Sequence, residues 1–256
     1  MRIFLLSHDR ARRGTTVARV LKTRDIVPDG FVFEAYRPKP LRRRIENRLA
    51  DGGIPVLAPK TPAVGGADRG EGGPDVPVAA DHAASADIPV INVADLTSEA
   101  SLETLRALKP DIFIHAGAGI LRAPLLAIPR LGTINAHMGI LPRYRGMNVA
   151  EWSRMEGRQT GCTVHLLDPG IDTGDILITR NIDTSDCASV AMLRARMDKA
   201  QLDLLAEVMA DIVRTGELPP RQPQTDAGGR QYFAMHSDLK AVLETRLSRT
   251  AMRADV

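Results

Sequence analysis

A chain of 256 residues is long enough for one large domain, or for one domain with an appendage. Its 44% hydrophobic and 25% charged residues exclude a disordered or fibrous class, and no apolar run is long enough for a signal peptide or a membrane span. A net charge of +3 is too small to argue for nucleic acid, and two cysteines, Cys162 and Cys187, make no disulfide framework, so a cytoplasmic protein is expected.

Ile3 to Ser7 predicts a short buried strand. A polar, Arg-rich loop runs to Gly14, and Thr15 to Arg24 predicts a helix with Val17, Val20 and Leu21 on one face. Phe31-Val32-Phe33 predicts the second strand, and Leu41, Ile45 and Leu49, spaced by four, a helix. From Gly52 to Pro89 glycine and proline dominate, and Val64 to Ala86 reads as a mobile low-complexity insertion. Pro89 to Val93 returns to the sheet. Ser98 to Leu108 predicts a helix with Leu102, Leu105 and Leu108 inward, stopped by Pro110. Asp111 to His115 is a buried strand, and Gly117-Ala118-Gly119 turns at its carboxyl end, where open α/β sheets bind ligands. A short helix over Ala123 to Ile128 precedes a strand ending at Asn135.

Beyond it, Met147 to Glu156 predicts a helix, and Thr163 to Leu167 and Ile176 to Ile182 predict strands. Ser189 to Thr215 is a long amphipathic helix closed by Gly216 and Pro219-Pro220. In the tail, Tyr232-Phe233 is expected to dock, and Asp238 to cap a final helix carrying Leu239, Val242, Leu243 and Leu247. Alternating strands and helices predict a doubly wound, mostly parallel, Rossmann-like α/β sheet over residues 1–216, with a short C-terminal extension over 217–256.

The densest chemistry lies between Gly132 and Asp175. Asn135 and His137, two apart, point to the same face of an extended chain, so an amide and an imidazole leave the strand end side by side. The loop Leu141-Pro142-Arg143-Tyr144-Arg145-Gly146 follows, and later the run T-V-H-L-L-D-P-G-I-D-T-G-D from Thr163. N-x-H, L-P-x-Y-R-G and T-V-H-x-x-D-x-G-x-D-T-G, in this order, resemble the folate-dependent formyltransferase family. That family includes glycinamide ribonucleotide, methionyl-tRNA and sugar-nucleotide N-formyltransferases. The likeness is close over about residues 100–180; Met138-Gly139 stands where the family has Pro-Ser or Gly-Ser.

The resemblance implies transfer of a formyl group from 10-formyltetrahydrofolate to an amine, with Asp172 as the catalytic aspartate beside Asn135 and His137. This is acyl transfer. The negative oxygen of the tetrahedral intermediate needs a donor, which Asn135 supplies, and protons must move at neutral pH, which suits His137. A carboxylate nearby orients the imidazole; Asp175 is the other candidate for that role. The resemblance further implies a pterin site against Ile114, Ala116, Gly117, Gly119, Ile120 and Leu121, facing Asp168 and Gly170. It implies acceptor contacts from Met138, Tyr144, Arg145 and Gly146.

Gly14, Thr15 and Thr16 at a helix start could hold an anion, reinforced by Arg10, Arg12 and Arg13. The family's ribonucleotide enzymes hold a substrate phosphate at a similar place. The basic cluster from Arg37 to Arg48 reads as a solvated helix face. His165, inside an apolar strand, reads as a core histidine, and His115 as a neighbour of the folate site. Cys162, His165 and Asp168 have ligand-like spacing without a second cysteine pair, so no metal is expected.

A small amine acceptor is therefore expected, with no membrane or nucleic-acid partner; a homodimer is compatible with this. The alternatives are a methionyl-tRNA formyltransferase-like enzyme, for which the roughly 40 residues after Gly216 are too few to form a barrel domain, and a formyltetrahydrofolate hydrolase.

Overall fold

Strands buried on both faces are written as continuous apolar runs, as Ile3–Leu6, Phe31–Phe33 and Ile112–Ile114 are here. The computed structural model describes residues 1–8, 12–35, 88–225 and 228–254. A seven-stranded sheet is built from β1 (Ile3–His8), β2 (Gly30–Glu34), β3 (Val90–Val93), β4 (Ile112–His115), β5 (Gly132–His137), β7 (Gly161–Leu166) and β8 (Ile176–Asn181). Their order is β3-β2-β1-β4-β5-β7-β8. The first five are parallel, and β7 and β8 add on antiparallel. The expected doubly wound, mostly parallel sheet is present.

Alternation along each strand divides the core in two. Ile3 and Leu5, Phe31 and Phe33, and Ile112 and Ile114 face one side, under α1 (Arg13–Lys22) and α5 (Val190–Thr215). Phe4 and Leu6, Val32, and Phe113 face the other, under α2 (Glu99–Ala107) and α3 (Ala123–Leu126). Phe113 is fully buried and meets its cross-strand neighbour Phe4 edge to face, with ring centroids 6.5 Å apart. Phe113→Ala is expected to lower unfolding free energy by about 3–5 kcal/mol, read by urea denaturation.

Several boundaries differ from expectation. α1 begins at Arg13 rather than Thr15, with Arg12 at its N-cap position. β5 runs on to His137, because that residue pairs with Thr163 of β7. The loop after it closes as a short strand, β6 (Tyr144–Gly146), leading to α4 (Val149–Met155), and β6 pairs in parallel with β9 (Arg230–Tyr232) of the tail. That pairing had no counterpart in the sequence analysis.

The expected docking residue Tyr232 is buried and stacks on Tyr144, with centroids 5.3 Å apart, while Phe233 is 72% exposed. In α6 (Ser237–Ala254), Leu243 and Leu247 are buried beside Met235, whereas Leu239 and Val242 face outward. Asp238 lies in the first turn of that helix rather than ahead of it. The Leu41–Leu49 helix, the Arg37–Arg48 cluster, Arg10, His82 and the 64–86 insertion lie outside the described residues. Among the described residues, no helix is long and apolar enough to cross a membrane.

Candidate active site

The strand order reverses beside β1 and β4, the place where open α/β sheets leave a crevice at their carboxyl ends. A cleft of about 120 Å³, open to solvent, lies there. Gly119, Ile120 and Leu121 reach it from the turn after β4, and Leu167, Asp168, Gly170 and Ile171 from the loop after β7. Asn135, Asp172 and His115 complete it.

Antiparallel pairing of β5 with β7 sets His165 directly opposite Asn135. The His165 Nδ1 lies 2.8 Å from the Leu166 carbonyl, which can only accept, so Nδ1 carries the proton. Nε2 is then left to accept from the Asn135 amide Nδ2, at 3.2 Å. Burial first, and the neighbouring His137 second, push the His165 pKa down to about 4, against the pull of Asp172. His165 is therefore a neutral acceptor that fixes which way the Asn135 amide points.

His137 donates from Nε2 to the Tyr144 carbonyl at 2.7 Å, which turns Nδ1 toward Asp172 Oδ2, at 3.6 Å. Asp172 Oδ1 is also 3.6 Å from His165 Nε2, so one carboxylate lies between two imidazoles whose rings meet at 87°. Its Oδ2 accepts the Gly146 N–H at 2.8 Å. Asp172 has φ 52°, the left-handed region that aspartate and asparagine tolerate better than most residues. Asn135 and Asp172 line the cleft. His137, 7% exposed, sits behind them.

His115 donates from Nε2 to the Gly119 carbonyl at 2.9 Å, bracing the turn after β4. Burial chiefly lowers its pKa, and Arg13 adds to this. Asp168 closes its own loop, accepting from Gly170 N and Thr173 Oγ1. Asp175 lies beside Arg221 at 3.8 Å.

Gly119, Ile120, Leu121, Asp168 and Gly170, all expected at a pterin, line the cleft. Ile114 and Ala116 do not; both are fully buried in the core, and Gly117 is not among the lining residues. Apolar rims from Ile120, 66% exposed, and Ile171, 38% exposed, suit a flat heteroaromatic ring with a few polar partners.

The expected acceptor contacts sort differently. Met138 packs against the sheet core. Tyr144 is buried, its hydroxyl donating to Glu156, and Arg145 is bound to Gln224. Gly146 serves Asp172 through its N–H. These three sites of the loop are employed in holding the site together, because β6 is sandwiched against the tail. At α1, the Thr15 and Thr16 hydroxyls both donate to the Arg12 carbonyl, Gly14 packs by Phe31 and Ser7, and Arg13 is paired with Asp198. Arg12 is exposed at the helix start.

Leu167, the Tyr144 carbonyl and Gln224 were missed by sequence reasoning, and His165 was read as core. The one signal available was that Thr163 and His165 share a strand face. Among the described residues, no group of three or more His, Cys, Asp or Glu is placed to hold a metal ion. The Cys162 thiol is buried, with its pKa pushed up to about 12 by that burial.

The depressed His165 pKa carries a stability prediction. An unfolded chain takes up this proton near the ordinary value of 6.5, the folded one only near about 4. Between these values the unfolded state binds more protons, so the contribution is complete above about 6.5 and is lost as pH falls toward about 4. In urea unfolding, the stability difference between the native protein and His165→Asn should shrink across that window as acid is added. A pH-independent difference would refute a neutral His165.

The profile of the formyl transferase family matches residues 50–209. A methionyl-tRNA formyltransferase of Pelobacter propionicus is 38% identical over 143 residues, covering 55% of this chain and 44% of the relative. The chain thus spans about half the length of the curated relatives it matches. Among solved structures, a sugar N-formyltransferase from Shewanella sp FDAARGOS_354 is similar, with TM-score 0.60 and 17% identity, covering 98% of this chain and 88% of the other. An N-formyltransferase from Helicobacter canadensis, in complex with folinic acid and dTDP-3-aminofucose, has TM-score 0.56 and 14% identity, covering 91% and 71%. These two likenesses are of fold.

Proposed function

The chain belongs to the formyl transferase family, and we propose that it moves a formyl group from 10-formyltetrahydrofolate to the amine of a small acceptor, phosphorylated or nucleotide-linked. The observation that carries this is the convergence of Asn135, His137 and Asp172 at one end of a cleft with apolar walls. In this reading residues 1–216 carry the reaction. Asn135 Nδ2, oriented by His165, donates to the oxygen that becomes negative as the amine adds to the formyl carbon. His137 and Asp172 take the proton that the amine loses and return it to the departing folate nitrogen. The Tyr144 carbonyl and the Gly146 N–H keep the imidazole and carboxylate in place during that exchange.

The Helicobacter canadensis protein, with its folate and aminosugar nucleotide, supports a nucleotide-linked acceptor. The similarity to a methionyl-tRNA formyltransferase supports a second reading, with an aminoacyl-tRNA as acceptor. Incubation with 10-formyltetrahydrofolate and a panel of amino-sugar nucleotides, glycinamide ribonucleotide and methionyl-tRNA separates them by which acceptor releases folate. Release without any amine would mean hydrolysis, and no release at all would reject the proposal.

A further inference from the structure

The tail does more than cover the body. After α5 ends, the chain returns to the sheet, and Gln222 and Ile176, the first residue of β8, exchange both backbone hydrogen bonds at 2.9 Å. This bridge seats Gln224 behind the turn that bears Asp172. The Gln224 Nε2 donates to the Asp172 carbonyl at 3.0 Å and to the Gly174 carbonyl at 2.6 Å. Its Oε1 accepts from Arg145 Nε and Nη2, at 3.2 and 3.0 Å. One amide thereby joins the acidic turn to the residue preceding Gly146, whose N–H holds the Asp172 carboxylate.

We propose that Gln224 is a positioning residue for formyl transfer, holding the left-handed turn so that the Asp172 carboxylate stays between His137 and His165. The inference rests on Asp172 acting as proposed above. Gln224 does not line the cleft, so its effect passes through Asp172. The chemistry at this place requires a group that donates twice and accepts on its other side. A glutamate would set its oxygens against two carbonyls while keeping Arg145. An alanine would release all three partners. A left-handed non-glycine turn persists where its surroundings over-determine it, and here two of those restraints come from one side chain.

The test compares the full-length protein with Gln224→Ala and Gln224→Glu. Three quantities are read: turnover of 10-formyltetrahydrofolate with the most active acceptor of the panel, binding of folinic acid by calorimetry, and hydrogen exchange at residues 171–176. Both variants should bind folinic acid within about twofold of the native protein, and lose about 10- to 100-fold in kcat with little change in the donor KM, since small displacements of a reacting group cost rates of that order. Exchange at 171–176 should accelerate. A merely structural glutamine would lower the melting temperature and leave the kcat of the folded fraction unchanged, and that result overturns the proposal. If the native protein consumes no donor with any amine, the proposed function falls and takes this inference with it. An active native protein with an equally active Gln224→Ala defeats the positioning role alone.

Discussion

Asp172→Asn is expected to lower kcat by about 10²- to 10⁴-fold, the range for loss of a positioned proton-transfer group, with the fold intact. Asparagine suits this substitution because it tolerates the φ of 52°. Its Oδ1 can still accept the Gly146 N–H that now holds the carboxylate. What disappears is the negative charge facing His137 Nδ1 and His165 Nε2, both at 3.6 Å. In the proposed reaction, a proton taken up by His137 would then face no counter-charge. Steady-state kinetics beside a melting curve checks this, and near-native kcat in a well-folded Asp172→Asn would remove Asp172 from the reaction. Asn135→Ala should cost about 10²- to 10³-fold in the same assay, as loss of a single oxyanion donor does elsewhere.

A large effect on both stability and turnover should come from a residue with no side chain. Gly146→Ala is expected to cost about 2–5 kcal/mol, combining a strained backbone with overpacking. Its φ is +95°, and an added Cβ would collide with the Tyr232 carbonyl. Neither partner can yield easily: Met147 N donates to that same carbonyl at 3.0 Å, and β6 and β9 are in register through it. Because Gly146 N also holds Asp172, kcat should fall along with stability. Urea unfolding and kinetics on the folded fraction measure the two. A loss under about 1 kcal/mol would mean that β6 and β9 separate readily in solution.

These two positions differ in how far they could be read ahead of the structure. The central sheet was legible because Ile112-Phe113-Ile114 and Phe31-Val32-Phe33 must be buried on both faces, and a run of that kind has few other homes. The long helix was legible at both ends, since Ser189 caps it by accepting from Met192 N and Gly216 ends it in a left-handed conformation. Asn135, His137 and Asp172 were singled out through a resemblance of motifs; the structure sets His137 and Asp172 3.6 Å apart and lines one cleft with Asn135 and Asp172.

The supports of those three were not legible, for a physical reason. β6 is a three-residue strand whose partner lies far along the chain, and no local alternation announces such a pair. His165 looked like core because its strand is apolar, and only the register with β5 brings it to Asn135. Tyr144 and Arg145 carry polar groups that suggest a ligand, yet Glu156 and Gln224 had already claimed them. Met138 and Ile114 went wrong in the same sense, since apolar residues beside a site are as apt to fill the core as to meet a ring.

β9 has a temporal consequence. During synthesis the seven sheet strands and α5 emerge before Arg230 to Tyr232 exist, and native pairings between distant segments form late because a long loop must first close. A nascent chain can therefore complete its principal layers while Gly146 still lacks its β9 neighbour, Tyr232. In the proposed reaction, competence would then arrive as β9 folds back, after most of the stabilising burial is already in place.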